Sequence, residues 1–196
     1  MAAKAETDEE ILKSRNRRLM ITRARNAKPH GPRTQRAANN PNFVLHPAIV
    51  RGMKQFLETA DCGGATALTL FSMPTLHVSY IWFKSGYPLP VHSHDTDCYY
   101  LVIAGSMRIG SDVLEKGDGV LIPSGTPYTV SPGAEGVEFL EMRTSPDYDT
   151  HYRGKTDIYW DRIADTRRAR KAIWALEQAP YGFIPIPDGA VPKDRR

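Results

Sequence analysis

The chain has 196 residues, 41% of them hydrophobic and 24% charged, the ordinary balance of a globular protein with room for one domain and extensions at both ends. Its two cysteines, Cys62 and Cys98, exclude a disulfide framework, and no run approaches the ~18 uninterrupted apolar residues of a membrane span. The net charge of +4 is uneven: residues 1–40 carry 10 Lys/Arg against 4 Asp/Glu, so the other 156 residues sum to about −2.

In chain order, Thr7-Asp8-Glu9-Glu10 has the form of a capping box ahead of Ile11 and Leu12, and predicts a helix over about 8–25. The same charged N-terminus has no apolar core of a secretory signal, so a cytoplasmic protein is expected. Residues 26–42, rich in Pro, Asn and Gly, read as a linker or extended arm. The basic arm has no interleaved aromatic residues and no helix-turn-helix pattern follows later, so nucleic acid is not expected as a partner.

From about residue 64 to 145 short runs rich in Val, Ile, Tyr and Phe alternate with turn residues, which is an all-β pattern. The runs fall at 65–71, 76–84, 98–104, 106–110, 119–123, 127–130 and 137–143, with Gly and Pro between them. Seven short strands without an intervening helix suggest one small barrel or sandwich. Ala169, Ala172, Ile173 and Leu176 then recur at helical spacing and predict a helix near 161–178. The proline-rich segment after it reads as extended. The organisation expected is therefore an N-terminal helix and arm over 1–60, a barrel over 61–146, and a C-terminal extension with one helix over 147–196.

The chemistry concentrates around His92-Ser93-His94. On a strand these two histidines point the same way, and two neutral imidazoles on one face can share a cation such as Fe, Zn, Ni or Mn. Gly86, five residues, His92-Ser93-His94, three residues, Cys98, six residues and Gly105 form a pattern that resembles the first motif of the cupin superfamily. Gly117, five residues, Pro123-Ser124-Gly125, two residues and Tyr128 resemble the second, at the spacing of single-domain cupins. The resemblance spans about residues 64–145. It implies a single cupin barrel (a double-stranded β-helix, or jelly-roll) with helical extensions at both ends.

The ligand set departs from that resemblance in two places. The usual Glu of the first motif is Cys98, and the usual His of the second is Tyr128. Only His92 and His94 carry over as metal ligands. Tyr128 takes the position that faces the metal in the family, and is expected as an acid/base or hydrogen-bonding catalytic residue, with a weak phenolate ligand or a barrel-lining aromatic as alternatives. Cys98 is either a small buried hydrophobe or a thiolate ligand. Asp95, Asp97 or Glu141 would complete a two-His-one-carboxylate set with open positions, as in non-haem iron oxygenases. Tyr100 and Cys98 share a strand face, and with Glu141 they are the expected substrate-pocket residues. Of His77, Ser79, Ile81 and Phe83 on one face of a strand, and Val78, Tyr80 and Trp82 on the other, one set lines the barrel. His30, His46 and His151 have no partner pattern and read as surface or local structural residues.

The function expected is that of an enzyme dependent on one divalent ion per chain, iron first and Zn, Ni or Mn as alternatives. It would act on a small organic molecule, aromatic ones included, in a dioxygenase-like reaction. A cupin lyase or isomerase, and a binding barrel without catalysis, are the alternatives. Cupin barrels commonly pair through an edge strand or terminal arm, so a homodimer is expected as well.

Overall fold

A computed structural model describes residues 20–30 and 46–182. Strand β1 (Lys28–Pro29) precedes helix α1 (Pro47–Glu58), and eight further strands follow. These are β2 (Ala65–Met73), β3 (Leu76–Phe83), β4 (His92–His94), β5 (Cys98–Ile109), β6 (Asp112–Glu115), β7 (Gly119–Ile122), β8 (Val130–Arg143) and β9 (Thr150–Tyr152). Helix α2 (Asp157–Leu176) comes last. The main sheet runs β1-β2-β3-β8-β5-β6, with β7 also on β5, and β4 pairs β9 in a second, two-stranded sheet. Every pairing is antiparallel, the jelly-roll arrangement that the two sequence motifs implied.

The long strands β5 and β8 form the spine. Bulges in their pairing, between Val102 and Ala104 and between Gly105 and Met107, bend the sheet so that one face closes on itself. Gly105, at the end of the first motif, sits at a bulge with φ +70°, and a Cβ there would lie 2.2 Å from the Gly136 carbonyl oxygen. Only glycine fits so close a backbone approach.

Alternation sorts β3 cleanly. Ile81 packs inside the barrel with Tyr100, Val102, Met107, Tyr128, Val137 and Phe139, while Tyr80 and Trp82 join Leu68 in a separate cluster on the outer face. The set His77, Ser79, Ile81 and Phe83 is thus the lining set. Ala24, Ala27 and Ala179 cover the outer cluster, so both ends of the described chain seal that face. There the fully buried Glu138 carboxylate accepts a hydrogen bond from Tyr80 Oη (2.6 Å) and one from the Tyr181 amide (2.5 Å).

The terminal elements depart from the periodicity. Residues 8–19 of the expected N-terminal helix lie outside the described residues, and at 20–23 the chain is irregular before a 3₁₀ turn at Ala24–Asn26. The described N-terminal helix is instead α1, which starts where Pro47 takes the first turn and the His46 ring accepts a hydrogen bond from the Ala48 amide. Helix α2 begins at Asp157 rather than near 161, because the Thr156 hydroxyl caps it by accepting from the Tyr159 amide. The expected extended tail beyond Gly182 lies outside the described residues.

The two helices pack on each other through Gly52 of α1 and the buried Trp160 of α2. Trp174, fully buried, donates from its indole to the Ser85 carbonyl (2.9 Å) and fastens α2 to the turn ahead of the first motif. Alanine is the better helix former by up to ~1 kcal/mol, but overpacking a well-filled contact typically destabilises by ~1–3 kcal/mol. A Cβ at Gly52 would fall 1.9 Å from the Trp160 ring, so the clash wins. Gly52→Ala is expected to lower the urea midpoint with an unchanged slope, by a net of about 1–2 kcal/mol.

Candidate functional site

Strand β4 is short, and its placement comes from two sides. It pairs β9 through His92 opposite Tyr152 and His94 opposite Thr150. On the other side His92 and Tyr128 exchange both backbone hydrogen bonds, at 3.0 and 2.8 Å. The two motifs, 36 positions apart, therefore meet at His92 and Tyr128, whose rings lie 4.5 Å apart. The rings of His92 and His94 are 4.8 Å apart and steeply inclined, at 74°.

Both imidazoles are held in one tautomer. His92 Nδ1 lies 2.8 Å from the Pro90 carbonyl oxygen and His94 Nδ1 2.9 Å from that of Asp149. A carbonyl can only accept, so each Nδ1 carries the hydrogen and each Nε2 keeps its lone pair. Such outer hydrogen bonds are how metal-ligating histidines are commonly oriented. Burial keeps both rings neutral: His92 is pushed below the usual histidine range, and His94 down to about 3 by burial and then by the Arg143 charge.

Opposite them stands an ion pair. Strand β8 places Glu141 and Arg143 on the lining face, beside Ser79 and His77 of β3 and Tyr100 and Cys98 of β5. Arg143 Nε donates to Glu141 Oε1 at 2.8 Å, with the guanidinium 1% and the carboxylate 9% exposed. The guanidinium lies over the Tyr148 ring at 3.9 Å, and the Tyr148 hydroxyl approaches Glu141 Oε1 at 3.4 Å. Tyr148 in turn packs edge-on against His94. Burial alone would lower the Arg143 pKa, but the adjacent Glu141 carboxylate outweighs it and the guanidinium is held in its charged form.

The hydroxyls of Tyr100 and Tyr128 are 2.6 Å apart in a hydrogen bond that either can donate. Burial first, and the nearby Glu141 charge second, raise both phenols, so they are held protonated. Cys98 is buried to 1% in the interior cluster, opposite Arg143 in the sheet.

The expected residues His92, His94, Tyr128, Tyr100, Cys98 and Glu141 thus gather at one end of the barrel. Asp95 and Asp97 do not turn inwards: both are exposed, and they accept hydrogen bonds from the Asp149 and Ser124 amides at 2.8 Å each. Two members of the site escaped the sequence reading. Arg143 lies two positions past Glu141, and alternation assigns it to the same face once that face is known. Tyr148 sits in a loop, where no periodicity applies.

His30 also differs from expectation. It joins the lining set, with Nε2 at 2.7 Å from Ser79 Oγ and 3.3 Å from His77 Nε2. His46 is the local helix cap already described.

The donor set fits a metal ion in its histidine half. Two neutral imidazoles with ring centroids 4.8 Å apart each keep an Nε2 lone pair, yet among the described residues no group of three or more His, Cys, Asp and Glu side chains could hold a metal ion. Glu141 is the carboxylate nearest in kind, and Arg143 holds it.

The chain folds as an antiparallel jelly-roll barrel, and the two segments whose sequence resembles the cupin motifs meet within it. No protein-family model and no curated protein sequence matches it. Among solved structures, it is similar to KdgF from Halomonas sp. (16% identity, 43% of this chain and 82% of that one, TM-score 0.40). It is similar as well to an RmlC-like cupin from Shewanella frigidimarina NCIMB 400 (22% identity, 42% and 78%, TM-score 0.40). A third is a variant of salicylate 1,2-dioxygenase from Pseudoaminobacter salicylatoxidans in complex with gentisate (19% identity, 54% and 35%, TM-score 0.43). No helix among the described residues is long and apolar enough to cross a membrane.

The buried, neutral His94 makes stability depend on pH. Its pKa is about 3 in the folded chain against 6.5 for the free side chain, so between these values the unfolded chain binds the extra proton. Stability therefore falls as pH drops from about 6.5, by up to ~1.4 kcal/mol per pH unit for one such group. His94→Asn keeps a donor for the Asp149 carbonyl and removes the titration. Urea midpoints measured between pH 7 and 5 are expected to fall less steeply in this variant than in the wild type.

Proposed function

We propose that this end of the barrel is the active site of a metal-dependent enzyme acting on a small organic molecule, with His92 and His94 as the protein ligands of one divalent ion. The observation that carries the reading is the pair of Nδ1 hydrogen bonds to the Pro90 and Asp149 carbonyls, which leaves both Nε2 lone pairs for a cation. Imidazole donors suit iron, and zinc, nickel or manganese as alternatives. Bound there, the ion would supply Lewis acidity or a position for O₂. A dioxygenase-like reaction is the concrete form we favour, since a set of two histidines leaves several positions open. Lyase or isomerase chemistry would use the same residues.

The chain's own groups have distinct parts in this reading. Tyr128, in ring contact with His92 and kept protonated, donates a hydrogen bond or a proton to a substrate oxygen. Tyr100 is hydrogen-bonded to it and can renew that proton. The Tyr128, Tyr148 and Phe139 rings and Cys98 give the substrate an apolar, largely aromatic surround. A cytoplasmic setting, in which the free thiols of Cys62 and Cys98 stay reduced, and a homodimer belong to the same proposal.

A second reading, a binding barrel without catalysis, draws on the Glu141–Arg143 pair: the carboxylate that would complete a ligand set is engaged elsewhere. Metal analysis separates the two. Protein purified without a chelating tag and offered Fe(II), Zn, Ni or Mn is expected to take up about one equivalent per chain. His92→Ala should lose that uptake and keep its unfolding transition. A wild-type content below about 0.1 equivalent under every metal would leave only the binding barrel.

A further inference from the structure

Arg143 has a donor that the site has not used. Its side chain is 1% exposed, its Nε serves Glu141, and its face covers the Tyr148 ring. Nη1 is nevertheless buried without a hydrogen-bond partner among the described residues. A guanidinium N–H out of water and unpaired is destabilising, so its place in a folded protein asks for a functional partner. The position is also the right one: Arg143 on β8 pairs with Cys98 of β5 and acts electrostatically on both His92 and His94.

We propose that Arg143 Nη1 anchors the carboxylate of the barrel's small-molecule ligand, so that the substrates are small organic acids. The inference rests on the reading that this end of the barrel is the ligand site, and it does not require the metal. Three features favour a carboxylate. The guanidinium is permanently charged, and a charged donor in a dry interior prefers an anionic acceptor to a neutral carbonyl. The Tyr100–Tyr128 pair has two hydroxyl hydrogens and uses one between its members, so the other can serve a second ligand oxygen. Glu141 already balances the guanidinium, and among the described residues no second Lys or Arg stands in the rows of β3, β5 and β8 beside it, so a dianionic phosphate would meet repulsion without a matching cation.

The test compares acids with their neutral isosteres: benzoate with benzamide, and acetate with acetamide. Binding is followed by protein NMR on the full chain, once treated with EDTA and once with Zn(II) added. At least one acid is expected to bind about tenfold more tightly than its amide, with and without zinc. Removing Arg143 alone would strand the Glu141 carboxylate, so the paired variant Glu141→Gln/Arg143→Met carries the control. It should remain folded and bind acid and amide within about twofold of each other. Should it not fold, Arg143→Lys, which keeps the charge and loses the planar fork, is expected to lose most of the preference.

The proposal is overturned if folded wild type binds neither acid at about 10 mM, or binds acid and amide alike. It is overturned equally if the preference survives in the variants. A preference that appears only with zinc would assign the carboxylate to the metal and overturn the role of Arg143. A preference without any zinc uptake would uphold Arg143 and remove the metal instead.

Discussion

A guanidinium inside a barrel needs an acceptor, and here Glu141 is that acceptor. The two are neighbours on one strand face, so β8 carries both the charge and its partner into the interior together. The arrangement of the other groups follows from this pair. Tyr148 lies against the guanidinium and places its hydroxyl near the same carboxylate oxygen, which draws the loop after β8 back over the barrel end. That loop contributes the Asp149 carbonyl that holds His94, and continues into β9, which holds β4. Removing one member of the pair would therefore disturb the setting of the histidines as well as the charge.

The strand register turns this into layers. Because β8 lies between β3 and β5, rows of lining residues cross all three strands: Ile81, Phe139 and Val102; then Ser79, Glu141 and Tyr100; then His77, Arg143 and Cys98. The first row is apolar and belongs to the packed interior. The next two are polar, and they lie at the end where β4 and the Tyr128 bridge sit. A packed floor beneath a polar layer has mechanical value. Tightly packed neighbours fix the rotamers of groups whose spacing determines what they can bind. Strand alternation delivers both from one sequence, with each strand reading apolar and then polar along a single face.

That logic also shows what could be read in advance. The barrel was legible because its two motifs rest on backbone geometry: a glycine at a bulge, as at Gly105, has a steric reason independent of the remainder of the chain. The shared orientation of His92 and His94 follows from strand parity. Glu141 was visible as a candidate because a carboxylate is a metal-ligand type, while Arg143, which shares its face, is not, and only the register tells that this face is inside. Tyr148, the Asp149 carbonyl and His30 lay further out of reach. Loops and terminal arms have no period, and their contacts form only when distant segments meet, as His30 meets His77 and Ser79. Asp95 and Asp97 stay outside for a local reason, since short acidic side chains in turns readily bond nearby amides.

The two replacements in the cupin-like motifs make sense as a change in the charge of the site. In the resemblance a Glu and a third His would stand at positions 98 and 128, and here a thiol-bearing residue and a phenol do. The phenols are protonated, the imidazoles neutral, and Glu141 and Arg143 cancel. The described groups of the site then have a formal charge near zero, without the anionic ligand that would ordinarily offset part of a divalent cation. In a medium of low dielectric, a cation added to such a site favours an anion nearby, and an anion favours the cation. Under the proposed function, the complement of two neutral imidazoles and a guanidinium with a spare donor would be a cation held by the histidines and an acid held by Arg143, and by linkage each would raise the affinity of the other.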